Sequence, residues 1–253
     1  MVERRRGAET QEETLAEVAA LVARGKVVAF TGAGMSTESG IPDFRSPGGL
    51  WTRYDAHEYA SLAGFRRDPE KVWTMLAELE QELGGSAPNP GHFALAGLER
   101  DGLLDGVITQ NIDGLHQAGG SQRVVEFHGG TDRLKCLDCG LVVGGREVAR
   151  RPPPCPRCGA IMKPDIILFG EPIEARALEE TQALLEDVRT LLVCGTSAEV
   201  QPASQIPYMA RAAGAAVVEV NLRPALPHTA VTHRLLGKTG ELLPALLEAV
   251  RGA

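Results

Sequence analysis

Thr31-Gly-Ala-Gly-Met-Ser-Thr-Glu-Ser-Gly-Ile-Pro-Asp-Phe-Arg45 is the stretch on which the fold turns. It follows Val27-Val28-Ala29-Phe30, an apolar run that reads as a buried first strand. Gly32 and Gly34 then give a tight turn with no side chains in the way. Such a turn lets backbone N–H groups approach a pyrophosphate, and a helix opening near Ala33 would add its positive end. The dehydrogenase fingerprint is absent. Gly-x-Gly-x-x should close in Gly or Ala, and Thr37 stands there. The acid expected about 20 residues further on, at the end of a second strand, is also missing. Asp55 has that spacing but lies in Trp51-Thr-Arg-Tyr-Asp-Ala-His57, which does not read as a strand. A dinucleotide remains a suitable ligand, held in some other manner.

Strand patterns alternate with helical ones around this turn, which predicts an α/β fold. From Thr10 to Ala23, Leu15, Val18, Ala19 and Val22 fall at helical spacing before Gly25. Asp68-Pro69 opens a helix to about Leu83, and Asn89-Pro90 caps another to about Arg100. Gly106–Thr109, Arg123–Phe127, Asp165–Phe169, Thr190–Cys194 and Ala216–Val220 read as strands. Helices are expected over Glu174–Asp187, Ala203–Ala213 and Glu241–Val250. Ser46-Pro-Gly-Gly49 has the composition of a lid or of a plain surface loop.

With 253 residues, 43% of them hydrophobic, the chain can bury one good core and a small satellite. A net charge of −7 argues against a nucleic-acid-binding surface as the main function. It suits a basic partner such as a lysine-rich peptide, though moderate acidity is ordinary. No apolar run reaches about 18 residues and no leader pattern is visible, so a soluble cytoplasmic protein without a membrane partner is expected.

Cys136-x-x-Cys139, a spacer, then Cys155-x-x-Cys158 has four-thiolate ribbon spacing. Each pair can bite one tetrahedral metal, with Gly140 and Gly159 permitting the knuckle turns. Four thiolates leave no position for water, so a structural zinc is expected and a redox dithiol is the lesser reading. Cys194 sits in an apolar strand as a filler. His128 ends a strand before Gly129 and Gly130. By composition alone a lone His there is more often structural. Asn111 and Asp113 follow another strand, where an open α/β sheet binds its ligand, although Asn and Asp are also common in plain turns. Gly195, Thr196 and Ser197 end one strand, and Asn221, Leu222 and Arg223 another.

Taken together, the glycine stretch, Thr109-Gln-Asn-Ile-Asp-Gly-Leu-His116, Glu126-Phe-His-Gly129 and the cysteine quartet resemble the sirtuins, the NAD-dependent protein lysine deacylases. The resemblance runs from about Lys26 to about Pro244. It implies a Rossmann-like, mostly parallel sheet over 9–45, 90–130 and 164–253, and a smaller helical and zinc-ribbon domain over 46–89 and 131–163. It makes His128 the general base, helped by Asn111, and His116 an internal support. Gly32, Ala33, Gly34, Thr37, Asp43, Phe44, Arg45, Gln110, Asn111, Ile112, Asp113, Gly195, Thr196, Ser197, Asn221, Leu222, Arg223 and Thr239 would hold NAD. Asp113 would accept from the nicotinamide carboxamide, and Asn221 would take the ribose role that an acid fills in dehydrogenases.

Lys163-Pro-Asp-Ile-Ile-Leu-Phe-Gly-Glu171 resembles the segment along which an acyl-lysine peptide adds as a strand. Ile167, Phe169 and Val200 would contact it. Sirtuins that prefer succinyl or malonyl groups carry a Tyr and an Arg that fall here on Leu76 and Leu79, so an uncharged acyl group is expected. Protein mono-ADP-ribosyl transfer is the rival activity. A zinc-ribbon nucleic-acid module is a non-enzymatic rival, which the low charge disfavours. Oligomeric state is not readable.

Overall fold

Thr10 and Glu13 open the first element by capping each other: each side chain accepts from the other's backbone N–H. The computed structural model describes residues 10–42, 49–83, 85–145 and 152–252. Helix α1 (Gln11–Val22) ends at a turn where Gly25 takes a φ of 70°. The chain then enters β1 (Val27–Thr31), buried along its length. The α-helix expected at Ala33 does not form. Two short 3₁₀ turns, Ala33–Met35 and Thr37–Ser39, stand in its place, so no helix macrodipole points into the turn.

Four helices follow: α2 (Leu50–Arg53), α3 (Ala56–Tyr59), α4 (Leu62–Arg67) and α5 (Pro69–Leu83). Asp55 caps α3 through His57 N, which explains why it is no strand-end acid. Helix α6 (Pro90–Arg100) leads to β2 (Leu104–Thr109), α7 (Leu115–Ala118) and β3 (Val124–Glu126). Strands β4 (Gly129–Lys135), β5 (Val142–Gly144) and β6 (Lys163–Ile166) form a separate sheet, ordered β5-β4-β6. The strand expected over Asp165–Phe169 therefore starts earlier, stops at Ile166 and belongs to the small sheet. Next come α8 (Ala175–Leu185), β7 (Thr190–Cys194), α9 (Ile206–Ala212), β8 (Ala216–Asn221), β9 (His233–Leu236) and α10 (Thr239–Arg251). Strand β9 was not anticipated. Half its residues are polar, and only its pairing with β8 makes it a strand.

The large sheet has the order β3-β2-β1-β7-β8-β9, and its pairings are all parallel. Alternate side chains leave opposite faces. Val27, Ala29, Val107, Leu192 and Val218 pack with α1, α6 and α10. Val28, Phe30, Ile108, Leu191 and Val217 pack with α8 and α9 on the other face. Cys194 is in the first of these cores, and burial pushes its thiol up to about 12, as a filler requires. A third core joins Phe65, Trp73, Met75, Leu76 and Leu79 to Leu134, Cys136, Cys155 and Met162. Trp73 Nε1 donates to Met162 O at 2.8 Å, so the helices of 50–83 and the cysteine ribbon share one interior. Among the described residues no helix is long and apolar enough to cross a membrane.

Candidate active site

Strand order fixes where a ligand can enter. From β1 the chain passes to β2 on one side and later to β7 on the other, so the crevice opens at the C-terminal ends of β1 and β7. There the two loops touch main chain to main chain. Gly34 N donates to Gly195 O at 2.8 Å. A Cβ on Gly34 would meet Gly195 O at 2.8 Å, and one on Gly32 would meet Thr196 Cβ at 2.7 Å. The glycines of the turn thus make room for the neighbouring loop. The N–H groups of Gly32, Gly34, Met35 and Ser36 already donate to protein carbonyls. Most of the turn's backbone donors are thus taken, so an anion there must also be met by other groups of the wall.

A cavity of about 1220 Å³ lies along these loops. Gly32, Ala33, Gly34, Thr37, Gln110, Asn111, Ile112, His128, Gly195, Thr196, Ser197, Asn221, Leu222, Arg223 and Thr239 line it, as do Ile167, Phe169 and Val200. Asp43, Phe44 and Arg45, and most of the Ser46–Gly49 piece, lie outside the described residues. Asp113 alone of the described candidates is not in the wall. Its Oδ2 accepts from Ser36 Oγ at 2.6 Å and its Oδ1 from Leu115 N at 2.9 Å. Ser36, which the sequence did not single out, also accepts from Asn111 Nδ2 at 3.1 Å. It ties Asn111 and Asp113 to the glycine turn.

His128 Nδ1 lies 3.1 Å from Gln110 O. A carbonyl carries no proton, so the hydrogen is on Nδ1 and the Nε2 lone pair is free to act as a base. Burial holds its pKa below the usual histidine value, against the pull of that hydrogen bond, so the ring is neutral at pH 7. Its own carbonyl accepts from Ile167 N at 2.8 Å. His116 differs. It is buried with Nε2 2.9 Å from Thr31 Oγ1, and burial lowers it to about 3. It is a support, stacked edge-on to His92, whose Nδ1 accepts from Asn89 N at the start of α6.

At the C-terminal end of β8, Asn221 Oδ1 accepts from Thr196 N, and its Nδ2 donates to Thr196 O and to Glu219 Oε1. Both amide hydrogens are used, which leaves only Oδ1 capacity for a ribose hydroxyl. Thr239 also lines the cavity, and its buried hydroxyl has no hydrogen-bond partner. A cavity of this volume, lined by polar groups at the strand ends and by His128, fits a dinucleotide.

The substrate segment is more occupied than its resemblance implied. Ile167 N donates to His128 O, Leu168 N to Glu171 Oε2 and Phe169 N to Ala60 O. An added strand must therefore use main chain beyond these three donors. The segment is held by Lys163, a buried lysine missed in the sequence. Its Nζ donates to Ile166 O at 2.5 Å and pairs with Glu171 at 3.2 Å. Met75, Leu76 and Leu79 line the cavity beside it.

The four cysteine Sγ atoms lie within 4.8 Å of one another. Cys136–Cys158 and Cys139–Cys155 are 3.5 and 3.6 Å apart. Zn–S bonds of about 2.3 Å in a tetrahedron need sulfur separations near ~3.8 Å, so the quartet fits a structural zinc. Gly140 N donates to Cys136 O and Gly159 N to Cys155 O, closing both knuckles.

Residues 32–202 match the model of the Sir2 family. The chain is 45% identical over 225 residues to NAD-dependent protein deacylase 2 of Pyrobaculum aerophilum, covering 88% of this chain and 90% of that one. It is 42% identical to NAD-dependent protein deacylase 2 of Archaeoglobus fulgidus, covering 95% and 97%. A solved Sir2 homologue–NAD complex superposes with a TM-score of 0.87 at 36% identity, covering 93% of each chain. The structure of Sir2Af2 bound to a myristoylated histone peptide superposes with a TM-score of 0.77 at 36% identity, covering 95% and 98%. The match runs along nearly the whole of these relatives, and the chain belongs to the Sir2 family.

Proposed function

We infer that this chain is an NAD-dependent protein lysine deacylase that acts on acetyl-lysine or another uncharged acyl-lysine. One observation carries the reading. His128, neutral and with Nε2 free, shares a single cavity with the dinucleotide loops and with an apolar wall of Met75, Leu76 and Leu79. NAD is consumed as a reactant: nicotinamide leaves, and the acyl oxygen takes its place on the ribose. His128 Nε2 then takes the proton of a ribose hydroxyl as that oxygen attacks the acyl carbon. Asn111, fixed by Gly32 O and Ser36, orients the reacting ribose. Gln110, fixed by Thr196 Oγ1, holds the carbonyl that sets the His128 tautomer. The apolar wall keeps water from the ribose carbon while nicotinamide leaves. The lysine nitrogen then leaves the acyl carbon as the free amine and one water supplies the ester carbonyl oxygen, so that the products are free lysine, nicotinamide and acylated ADP-ribose.

We assign the nicotinamide end to Gln110, Asn111, Ile112 and, from beneath, Asp113. The phosphate and adenosine portions go to Gly195, Thr196, Ser197, Asn221, Leu222, Arg223 and Thr239. Ile167, Phe169 and Val200 flank the acyl-lysine. The third core supports a division into a large unit of 9–45, 90–130 and 164–253 and a small one of 46–89 and 131–163. A reducing compartment such as the cytoplasm suits four thiolates. ADP-ribosyl transfer needs no apolar acyl wall, so nothing here favours it.

Mass spectrometry of an acetyl-lysine peptide, incubated with and without NAD, tests the reading. Loss of one acetyl group with equimolar acetylated ADP-ribose is expected. ADP-ribose attached to protein, with the acetyl group intact, would overturn it.

A further inference from the structure

Glu219 on β8 has no solvent exposure, yet it sits among Val217, Val218 and Val220, in a strand otherwise suited to apolar residues. Its carboxylate is fully engaged. Oε1 accepts from Asn221 Nδ2 at 3.1 Å, Ala225 N at 2.5 Å and Leu226 N at 3.2 Å. Oε2 accepts from Arg234 Nε at 2.7 Å. Arg234 is the register partner of Glu219 across β8 and β9. Its guanidinium also donates to Leu226 O and, through Nη1, to His228 Nδ1 at 2.7 Å. Burial would raise the Glu219 pKa. The Arg234 guanidinium and the Ala225, Asn221 and Leu226 donors outweigh it and hold the carboxyl ionised.

Sheet stability alone does not call for this arrangement. Well-packed apolar residues of similar volume hold two strands at least as well as a buried ion pair. The partners of the pair point elsewhere. Ala225 belongs to the loop after β8, whose Leu222, Arg223 and Pro224 also line the cavity. Asn221 grips Thr196 at both N and O. Thr196 Oγ1 accepts from Gln110 Nε2 at 2.8 Å, and Gln110 O accepts from His128. Direct hydrogen bonds thus run unbroken from Arg234 through Glu219, Asn221, Thr196 and Gln110 to His128. Glu219 and Arg234 stand behind the cavity wall, and Asn221, Thr196, Gln110 and His128 are in it.

We propose that Glu219 and Arg234 are positioning residues that preset the Asn221 carboxamide and the loop 222–226 for the adenosine half of NAD, and so set dinucleotide affinity and not the chemical step. The proposal rests on the NAD reading of the cavity. An unset loop would have to be ordered by the ligand, and that ordering would be taken from its affinity.

The test uses the full-length, zinc-loaded chain and the variants Arg234→Met and Arg234→Lys. Calorimetry measures Kd for ADP-ribose. Steady-state assays on an acetyl-lysine peptide measure KM for NAD, KM for peptide, kcat and inhibition by nicotinamide. In Arg234→Met the ADP-ribose Kd and the NAD KM should rise about tenfold or more, as for loss of a charge-assisted hydrogen bond. The kcat, the peptide KM and nicotinamide inhibition should stay within about twofold, because the pair bonds the loop 222–226 and Asn221 and touches neither His128 nor the acyl wall directly. Hydrogen exchange at Ala225 and Leu226 should accelerate. Arg234→Lys keeps the charge but loses the contacts to Leu226 O and His228, and should weaken ADP-ribose binding about threefold. It also carries the test alone if the Met variant does not fold. A purely structural pair would lower Tm and leave the ADP-ribose Kd of the folded variants unchanged, and that result overturns the proposal. A fall in kcat larger than the rise in Kd also overturns it. Failure of the unaltered chain to bind NAD or ADP-ribose would overturn the NAD reading itself, and the proposal with it.

Discussion

As the proposed base, His128 would act through a lone pair whose availability depends on one backbone carbonyl. Replacing it with Ala should leave zinc content and NAD affinity nearly intact and lower turnover by about 100-fold or more. Turnover close to that of the unaltered chain would refute the assignment. Burial lowers the pKa of this ring, so the active, neutral form gains population as pH rises. A plot of kcat/KM against pH should climb through an apparent pKa below the ordinary value of about 6.5 and level off by neutrality. A profile still climbing through pH 8 would point to another base. Asp113→Asn takes an acceptor from Ser36, which also fixes Asn111. It should weaken nicotinamide inhibition more than peptide binding, measured as Ki against peptide KM. His128 and Asn111 could be picked out from their segments. Ser36 could not: its partners are 75 and 77 residues away, and a serine in a turn has no distinctive spacing.

Among the elements, the ribbon and the α6–α7 contact are the ones whose loss can be measured. One zinc per chain is expected by elemental analysis. Cys155→Ala or chelation should unfold the ribbon, release Cys136 and Met162 from the third core and lower activity indirectly. Absence of zinc from the purified chain would refute this. At α6 and α7, burial lowers His92 to about 4 and His116 to about 3. Both lie below the unfolded value of about 6.5, so the unfolded chain takes up protons first as pH falls. Their contribution is complete above pH 6.5 and is lost as pH drops toward 4 and 3. The slope is on the order of 1.4 kcal/mol per pH unit for each ring. Denaturant melts between pH 7 and pH 4.5 should show this loss, and His116→Gln should flatten it. Equal stability at both pH values would refute it.

Over the whole molecule, the proposed substrate choice follows from the cavity that α5 shares with the loops of the large sheet. Leu76 and Leu79 come from α5, His128 from the end of β3, and the loops after β1, β7 and β8 from the large sheet. A succinyl carboxylate set against two leucines would lose water and gain no partner, which is expensive. An acetyl or butyryl chain would gain from apolar burial at about 25 cal/mol per Å². Matched acetyl, butyryl and succinyl peptides should therefore rank with succinyl last in kcat/KM. A succinyl rate at or above the acetyl rate would show that another wall faces the acyl group.

By itself the sequence determined what depends on local spacing. Two Cys-x-x-Cys pairs at ribbon spacing point to a metal site, and short apolar runs alternating with helical patterns point to an α/β sheet. Family motifs added His128 as the candidate base. Only the tertiary structure decided what depends on distant partners. Strand β9 exists because β8 pairs with it, since Arg234 gives its sequence no apolar alternation. The segment after Gly32 winds into 3₁₀ turns because it is clamped from outside. Gly34 N is bonded to Gly195 O, and Met35 O accepts from Asn89. Lys163 and Glu219 look like surface charges in the one-dimensional record. They are buried because each finds its full set of partners only once the sheets have formed, and an unpartnered charge could not have stayed there.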